Sequence, residues 1–205
     1  MAASDPDWDA LIARIGPCTL ALKPQRQPYE ALVRAIAYQQ LHGRAAEAIL
    51  GRFLALYPGK PFPLPIDILA TEEAAMRACG FSASKVITIQ GIAVGAQNGV
   101  VPTLQDAGML SYEELIVRLI TLRGVGRWTV EMLLMFTLGR PDILPVDDFG
   151  VREGWRVFKS LDAQPTPKAL AEIGKAWSPY RSTAAWYLWR AAEQDKLPKP
   201  TQSKS

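Results

Sequence analysis

The chain has 205 residues, of which 49% are hydrophobic, and a formal net charge of +3. This length and apolar content suit one large globular domain or two small ones, and the weak positive charge permits nucleic-acid binding without indicating it. The longest apolar runs are far shorter than the roughly 20 residues that a membrane span requires, and no signal-peptide pattern is present. We therefore expect a cytoplasmic protein, nucleoid-associated if bacterial, whose Cys18 and Cys79 are buried, reduced thiols.

The periodic segments predict helices throughout. Ser4-Asp5-Pro6 provides start signals for a first helix, Pro28 opens a helix that ends before Gly43, and residues 59–65 form a proline-rich loop. Further helices are predicted at about 44–57, 71–80, 83–97, 111–120, 127–138, 149–159, 167–176 and 181–193, with caps at Ser82 and Ser111. No segment alternates like a strand, so the fold class is all-α, and residues 196–205 are expected to be a disordered tail.

A glycine hairpin joins two of the predicted helices at LRGVGRWTVEM, residues 122–132. Gly124 and Gly126 allow a backbone with positive φ at both positions, and Val125 between them can anchor the turn in the core. Backbone amides at the start of the following helix would then form an anion site, flanked by Arg123 and Arg127. An ordinary helix–helix turn, in which the glycines only relieve strain, is the alternative.

Two adjacent aspartates follow about twenty residues later, in DILPVDDFGVREGW. Asp147 and Asp148 cannot face the same way, so we expect one to cap the helix that begins at Phe149 and the other to be available for chemistry. Read alone, both could simply be helix-start acids.

Together these motifs resemble the helix-hairpin-helix DNA glycosylases. The stretches RAIAYQQLHGRAA, GRWTVEMLLMF and WSPYRSTAAWYLWR are similar to the 3-methyladenine DNA glycosylase II branch in its compact, yeast-like form, over roughly residues 28–190. The resemblance implies one glycosylase unit, residues 1–195. One subdomain would span about 30–138, the other the N-terminal segment and about 139–195, with the active site in the cleft between them.

The same resemblance assigns roles to individual residues. Asp148 becomes the catalytic residue, and the turn Gln40-Leu41-His42 provides the plug that fills the duplex after base flipping, with Gln40 or Leu41 as the wedge. His42 is expected at the minor groove, although acid–base catalysis and a plain surface position are alternatives. The base pocket would contain Trp128, Glu131, Met132 and Trp189; DNA contacts would come from Phe81, Lys85, Arg123, Gly124, Val125, Gly126 and Arg127. Phe81 could instead be a core aromatic.

The resemblance also bears on cofactors. No cofactor is expected to be required, but the backbone carbonyls of Ile120, Leu122 and Val125 match positions that hold a monovalent cation, Na⁺ or K⁺, in the family. Bifunctional glycosylase-lyases carry a lysine nucleophile where this chain has Trp128, so no Schiff base can form by that route.

The sequence therefore predicts a monofunctional glycosylase. Its substrate would be double-stranded DNA containing 3-methyladenine or 7-methylguanine, purines that already carry a positive charge and leave readily, and we expect it to act as a monomer. A non-enzymatic module that binds damaged DNA is the main alternative. A bifunctional or oxidised-base glycosylase of the same fold and a small-molecule enzyme on a helical bundle are further ones.

Overall fold

The computed structural model describes residues 7–41 and 43–195. In this part of the chain twelve α-helices follow one another without a β-strand, so the predicted all-α class is confirmed. Their bounds are α1 Asp7–Ile15, α2 Pro28–Tyr38, α3 Gly43–Ala55, α4 Pro65–Leu69, α5 Glu73–Ala78, α6 Ala83–Gln97, α7 Leu104–Met109, α8 Tyr112–Leu119, α9 Arg127–Phe136, α10 Phe149–Phe158, α11 Pro167–Ile173 and α12 Arg181–Asp195, with a short 3-10 helix at Gly174–Trp177.

Capping side chains set several helix starts. Ser82 Oγ accepts the amide of Lys85 at 3.2 Å, and Ser111 and Glu114 satisfy each other's backbone amides in a reciprocal box. Both predicted caps are therefore confirmed. Gly43, expected to lie between two helices, is instead the first residue of α3. The start signals at residues 4–6 and the predicted tail at 196–205 lie outside the described residues.

The chain divides into two compact units. One comprises residues 22–139, and the other is formed by the chain up to residue 21 and from residue 140 onwards. The expected position of the active site in a cleft between subdomains stays a prediction. Within the described residues, no helix combines the length and apolar character needed to cross a bilayer.

The unit of residues 22–139 has an aliphatic and aromatic core. Leu32, Phe53, Ile89 and Leu115 are fully buried there, and the Phe53 ring packs edge-on against neighbouring aromatic rings. Cys79 is buried as expected. Cys18, in the other unit, is exposed, so the expectation of two buried thiols is wrong for that residue.

The second unit is built around tryptophans and one tight helix crossing. Trp8 packs on Trp177 with ring centroids 5.5 Å apart. The helices α10 and α12 approach so closely that a Cβ atom on Gly154 would lie 1.9 Å from the carbonyl oxygen of Leu188. The crossing brings the middle of α10 against the middle of α12, and Gly150, near the start of α10, lies beside Trp189.

An ion pair ties the loop before α10 to the start of α12. Arg181 Nε donates to Asp142 Oδ1 at 2.7 Å, and Ser178 Oγ donates to Oδ2 at 2.8 Å. These hydrogen bonds, Arg181 first, lower the pKa of Asp142 to about 2, against the opposing effect of burial.

Candidate active site and DNA-binding surface

The glycine hairpin lies between α8 and α9 in the unit of residues 22–139. Gly124 has φ +78°, and a Cβ atom there would lie 2.2 Å from Thr88 Oγ1, so only glycine fits. Gly126 has φ −97° and occupies the N-cap position of α9. The expectation that both glycines use positive φ therefore holds for Gly124 and is wrong for Gly126.

The rest of the hairpin presents backbone and charge outwards. Val125 is only 4% exposed and anchors the turn, whereas Arg123, both glycines and Arg127 are exposed. The Leu122 carbonyl accepts the Val125 amide at 3.1 Å, which leaves it a second lone pair. This geometry has the features expected of an anion site at a helix N-terminus.

Glu131 contacts two other polar side chains. Its side chain is 2% exposed, and its Oε1 accepts hydrogen bonds from the Tyr112 hydroxyl at 2.9 Å and from Arg127 Nε at 3.3 Å. Burial, followed by the Glu131 carboxylate, raises the pKa of Tyr112. Glu131 is thus part of a buried polar cluster between α8 and α9, where Tyr112 and Arg127 hold its carboxylate. Its assignment to the base pocket stays a prediction.

A pocket of about 430 Å³ opens on the other side of α9. Trp128 and Met132, two of the residues expected in the base pocket, line this cavity one helical turn apart. Sequence reasoning missed Tyr38 and Phe136, which add two aromatic side chains. Their helical spacing resembles that of core residues, so the sequence carried no signal for them. The complete lining is Lys23, Arg26, Ala31, Arg34, Ala35, Tyr38, Trp128, Met132, Leu133, Phe136 and Thr137.

Two of the three cationic side chains at this pocket, Arg26 and Arg34, share one carboxylate. Glu30 Oε1 lies 2.7 Å from Arg34 Nε and 3.5 Å from Arg26 Nε. Burial, followed by the proximity of Arg34, lowers the pKa of Arg26. Glu30 therefore offsets part of the positive charge beside the aromatic side chains.

The turn after α2 carries the predicted plug. Gln40 and Leu41 are exposed, the Leu41 side chain by 40%, and Gln40 adopts a left-handed φ of +55°. His42 lies outside the described residues. Gln39, which the sequence analysis did not single out, donates from Nε2 to the Gly124 carbonyl at 3.2 Å and to Thr129 Oγ1 at 3.0 Å.

Two expected DNA contacts have other roles in this structure. Phe81 is 3% exposed and packs edge-on against Phe53, so it is the core aromatic of the alternative interpretation, and the DNA contact is wrong. Lys85 Nζ donates to the carbonyls of Ala37 and Gln39 at the end of α2. Burial at this position lowers the pKa of Lys85, and its ammonium holds a helix C-terminus instead of extending towards a phosphate.

Asp148 lies at the start of α10 in the second unit. Its Oδ1 accepts the Val151 amide and the Trp189 indole Nε1, each at 2.9 Å. Asp148 is therefore the N-cap of α10, so the expectation that one of the two aspartates caps this helix is confirmed. The catalytic role of Asp148 stays a prediction. Asp147, beside it, is exposed.

Trp189 reaches this carboxylate because of a glycine. A Cβ atom on Gly150 would lie 2.8 Å from Trp189 Cδ1 and 3.1 Å from Asp148 Oδ1. From the sequence, Trp189 is predicted to offer a stacking surface for a base, and this stays a prediction. The structure gives its indole N–H a specific partner, the carboxylate of Asp148.

The chain is similar to known DNA repair proteins. DNA-3-methyladenine glycosylase 1 of Schizosaccharomyces pombe is 40% identical over all of this chain and 90% of its own length. An alkylbase DNA glycosidase-like protein of the same yeast is 37% identical over 93% of this chain and 90% of its own. The structure of the S. pombe 3-methyladenine DNA glycosylase in complex with abasic DNA superimposes with a TM-score of 0.89 at 41% identity, covering 95% of each chain. The HhH-GPD family model matches residues 33–179, and the chain belongs to this superfamily of base excision DNA repair proteins.

Proposed function

We propose that this protein is a monofunctional DNA glycosylase that releases 3-methyladenine and 7-methylguanine from double-stranded DNA. Two relatives that span almost the whole chain are named as alkyl-base glycosylases or glycosidase-like proteins, which supports the substrate class. The observation that carries the proposal is the Asp148 carboxylate, held at the start of α10 by a backbone amide and an indole N–H.

Asp148 would act on the sugar. As the glycosidic bond breaks, its electron pair leaves with the purine, and positive charge develops on the deoxyribose. A carboxylate at about 4 Å and an effective dielectric near 20 stabilises this charge by roughly 4 kcal/mol, or about three decades of rate. Water then bonds to C1′ and gives up one proton. An alkylated purine that is cationic before cleavage leaves as a neutral base, so no strong general acid is needed.

The pocket beside α9 would hold the flipped base. Trp128 and Tyr38 offer aromatic faces, which attract a cationic ring through their quadrupoles. Met132 supplies a polarizable apolar contact. This set replaces the one inferred from sequence, because Glu131 is buried away from the pocket and Trp189 contacts Asp148.

The hairpin and the turn after α2 would bind the duplex. The amides at Gly124, Gly126 and the start of α9 would bind a backbone phosphate, with Arg123 beside them. Gln40 or Leu41 would fill the space that the flipped nucleotide leaves. Phosphate contacts make the affinity fall steeply as salt concentration rises, which a small-molecule enzyme would not show.

A monovalent cation would support the hairpin. The backbone carbonyls of Ile120, Leu122 and Val125 are neutral oxygen donors, which suit Na⁺ or K⁺, and the Leu122 carbonyl keeps a lone pair beyond its bond to Val125. The bound ion would contribute positive charge near the phosphate. DNA affinity in K⁺ or Na⁺ should exceed that in tetramethylammonium at equal ionic strength.

The proposal also states that the enzyme hydrolyses the glycosidic bond without cleaving the DNA strand. Trp128 cannot form a Schiff base, but Lys23 also lines the pocket, so lyase activity has to be measured directly. The experiment incubates methylated duplex DNA with the wild type and with Asp148→Asn, then quantifies released purine and runs the DNA on a denaturing gel.

Release of methylated purine by the wild type alone, with intact abasic strands, supports the proposal in full. Broken strands would overturn the monofunctional part and direct attention to Lys23. Tight binding to damaged DNA without release by either protein would favour the damage-binding module.

A further inference from the structure

The turn that carries Gln40 and Leu41 is braced from two sides. From α6, Lys85 Nζ donates to the carbonyls of Ala37 at 3.0 Å and Gln39 at 2.8 Å. From α2, the Gln39 side chain reaches the hairpin through the Gly124 carbonyl at 3.2 Å and the Thr129 hydroxyl at 3.0 Å. The end of α2 is therefore joined to both α6 and the hairpin.

The brace acts at a point of backbone strain. Gln40 has φ +55°, a left-handed conformation that is uncommon for a residue with a side chain. Such conformations persist where the surrounding structure over-determines them. Here the fixing contacts are made by the residue just before Gln40, whereas the side chains of Gln40 and Leu41 point to solvent.

Gln39 also contacts the hairpin, the second element of the proposed DNA-binding surface. Its amide contacts Gly124, whose positive φ defines the hairpin, and Thr129 in the first turn of α9. The Thr88 hydroxyl, bonded to the Ser84 carbonyl, lies under Gly124 and limits its movement. One side chain thus fixes the separation between the hairpin and the exposed turn.

We propose that Gln39 is a positioning residue that couples phosphate binding at the hairpin to insertion of the Gln40–Leu41 turn into the duplex. This inference rests on the proposed function, in which these two elements bind DNA. Without the Gln39 side-chain amide, the hairpin and the Gln40–Leu41 turn both remain. Binding of the hairpin to a phosphate, however, no longer fixes the position of the turn. Affinity for a duplex that lacks one base should fall, whereas the electrostatic affinity for any duplex should not change.

The test uses Gln39→Met, which keeps length without a donor, and Gln39→Glu, which keeps length and polarity without the donated hydrogen bonds. Gln97→Met, at the exposed end of α6, is the matched control. Affinities are measured for an intact duplex and for one containing a tetrahydrofuran abasic analogue, with thermal unfolding as the check on folding. The preference for abasic DNA should fall about tenfold in both Gln39 variants, since two neutral hydrogen bonds are lost.

A double-mutant cycle with Leu41→Ala separates positioning from general damage. If Gln39 acts through the turn, Gln39→Met should reduce the preference little once Leu41 is truncated. Additive losses, or equal losses on intact and abasic duplexes, would overturn the proposal, as would a wild-type preference that both Gln39 variants retain. A wild type that binds both duplexes equally would overturn the proposed function as well.

Discussion

Trp189→Phe removes one hydrogen-bond donor from Asp148 while keeping an aromatic ring on α12. In the wild type Asp148 Oδ1 accepts the Trp189 Nε1–H and the Val151 amide at equal distances of 2.9 Å. The amide bond survives the substitution, so the carboxylate remains the N-cap of α10. The carboxylate loses only the hydrogen bond from Trp189, whose close approach depends on the absence of a side chain at Gly150.

The expected loss of rate is small and can be estimated. If the less restrained carboxylate lies about 5 Å instead of about 4 Å from the sugar cation, the Coulomb energy falls from about 4 to about 3 kcal/mol at an effective dielectric of 20. This difference is about fourfold to fivefold in rate. A hydrogen bond to a charged group is worth about 1.5–3 kcal/mol, so its full loss sets an upper limit near a hundredfold.

The assay is single-turnover release of 7-methylguanine, together with affinity for abasic-analogue DNA. We expect a slower chemical step and unchanged affinity, because only the restraint on the Asp148 carboxylate changes. Trp186→Phe, a buried tryptophan of α12 that packs on Tyr187, is the matched control.

Two results would refute this reasoning. An unchanged rate in Trp189→Phe, with Asp148→Asn inactive, would show that the indole N–H does not orient the carboxylate. A loss of affinity for alkylated DNA, with normal chemistry once bound, would return Trp189 to the base pocket predicted from sequence.

Four further substitutions test the remaining geometry of the site and the fold. Gly124→Ala should lower the free energy of unfolding by about 1–2 kcal/mol, because it forces a side chain into the left-handed region and against the Thr88 hydroxyl. Gly126→Ala should cost less than about 1 kcal/mol yet weaken DNA binding, as denaturation and affinity measurements can show. Glu131→Gln should lower the free energy of unfolding by about 1–3 kcal/mol and leave base release unchanged; lost release at normal stability would restore its pocket role. Asp142→Asn should cost about 1–2 kcal/mol near neutral pH and nothing at about pH 2. The depressed pKa of Asp142, about 2, contributes stability above its unfolded value of 3.8 that is lost as pH falls between the two, so urea unfolding across this range checks the sign.

Two helix starts were predictable from the side chain that caps them. Ser82 and Ser111 each carry an acceptor that binds the amide three residues later, a local interaction that needs no tertiary information. The short helices Pro65–Leu69 and Leu104–Met109 were missed: five or six residues display little helical period, and the Thr103 cap of the second was not recognised. Gly43 was predicted to lie between two helices but begins α3, because a glycine can either precede a helix or occupy its first position.

The site was predictable in its motifs but not in its side-chain directions. The hairpin and Asp148 are contiguous in sequence, so their local geometry follows from a few residues. Glu131 and Met132 are neighbours on α9, yet only Met132 lines the pocket. Glu131 lies on the other side of the helix, where it accepts a hydrogen bond from Tyr112 of α8. The partner of Trp189 likewise depends on a helix crossing that no local pattern encodes.

The charge of Glu30 gives a last prediction, in which the rate of base release and the affinity for abasic DNA change in opposite directions. A cationic base would enter beside Arg26 and Arg34, and Glu30, in contact with both, offsets their repulsion. Glu30→Gln removes one negative charge, which at about 10 Å and an effective dielectric of 20 costs a cationic ligand roughly 1.7 kcal/mol, or about fifteenfold in rate. The same change makes the protein more positive, so affinity for duplex DNA with an abasic analogue, which leaves the pocket empty, should rise. Slower 7-methylguanine release together with tighter abasic binding would place the cationic base beside Glu30. If rate and affinity instead fell together, Glu30 would act by holding α2 in place, and the pocket would have to be sought elsewhere.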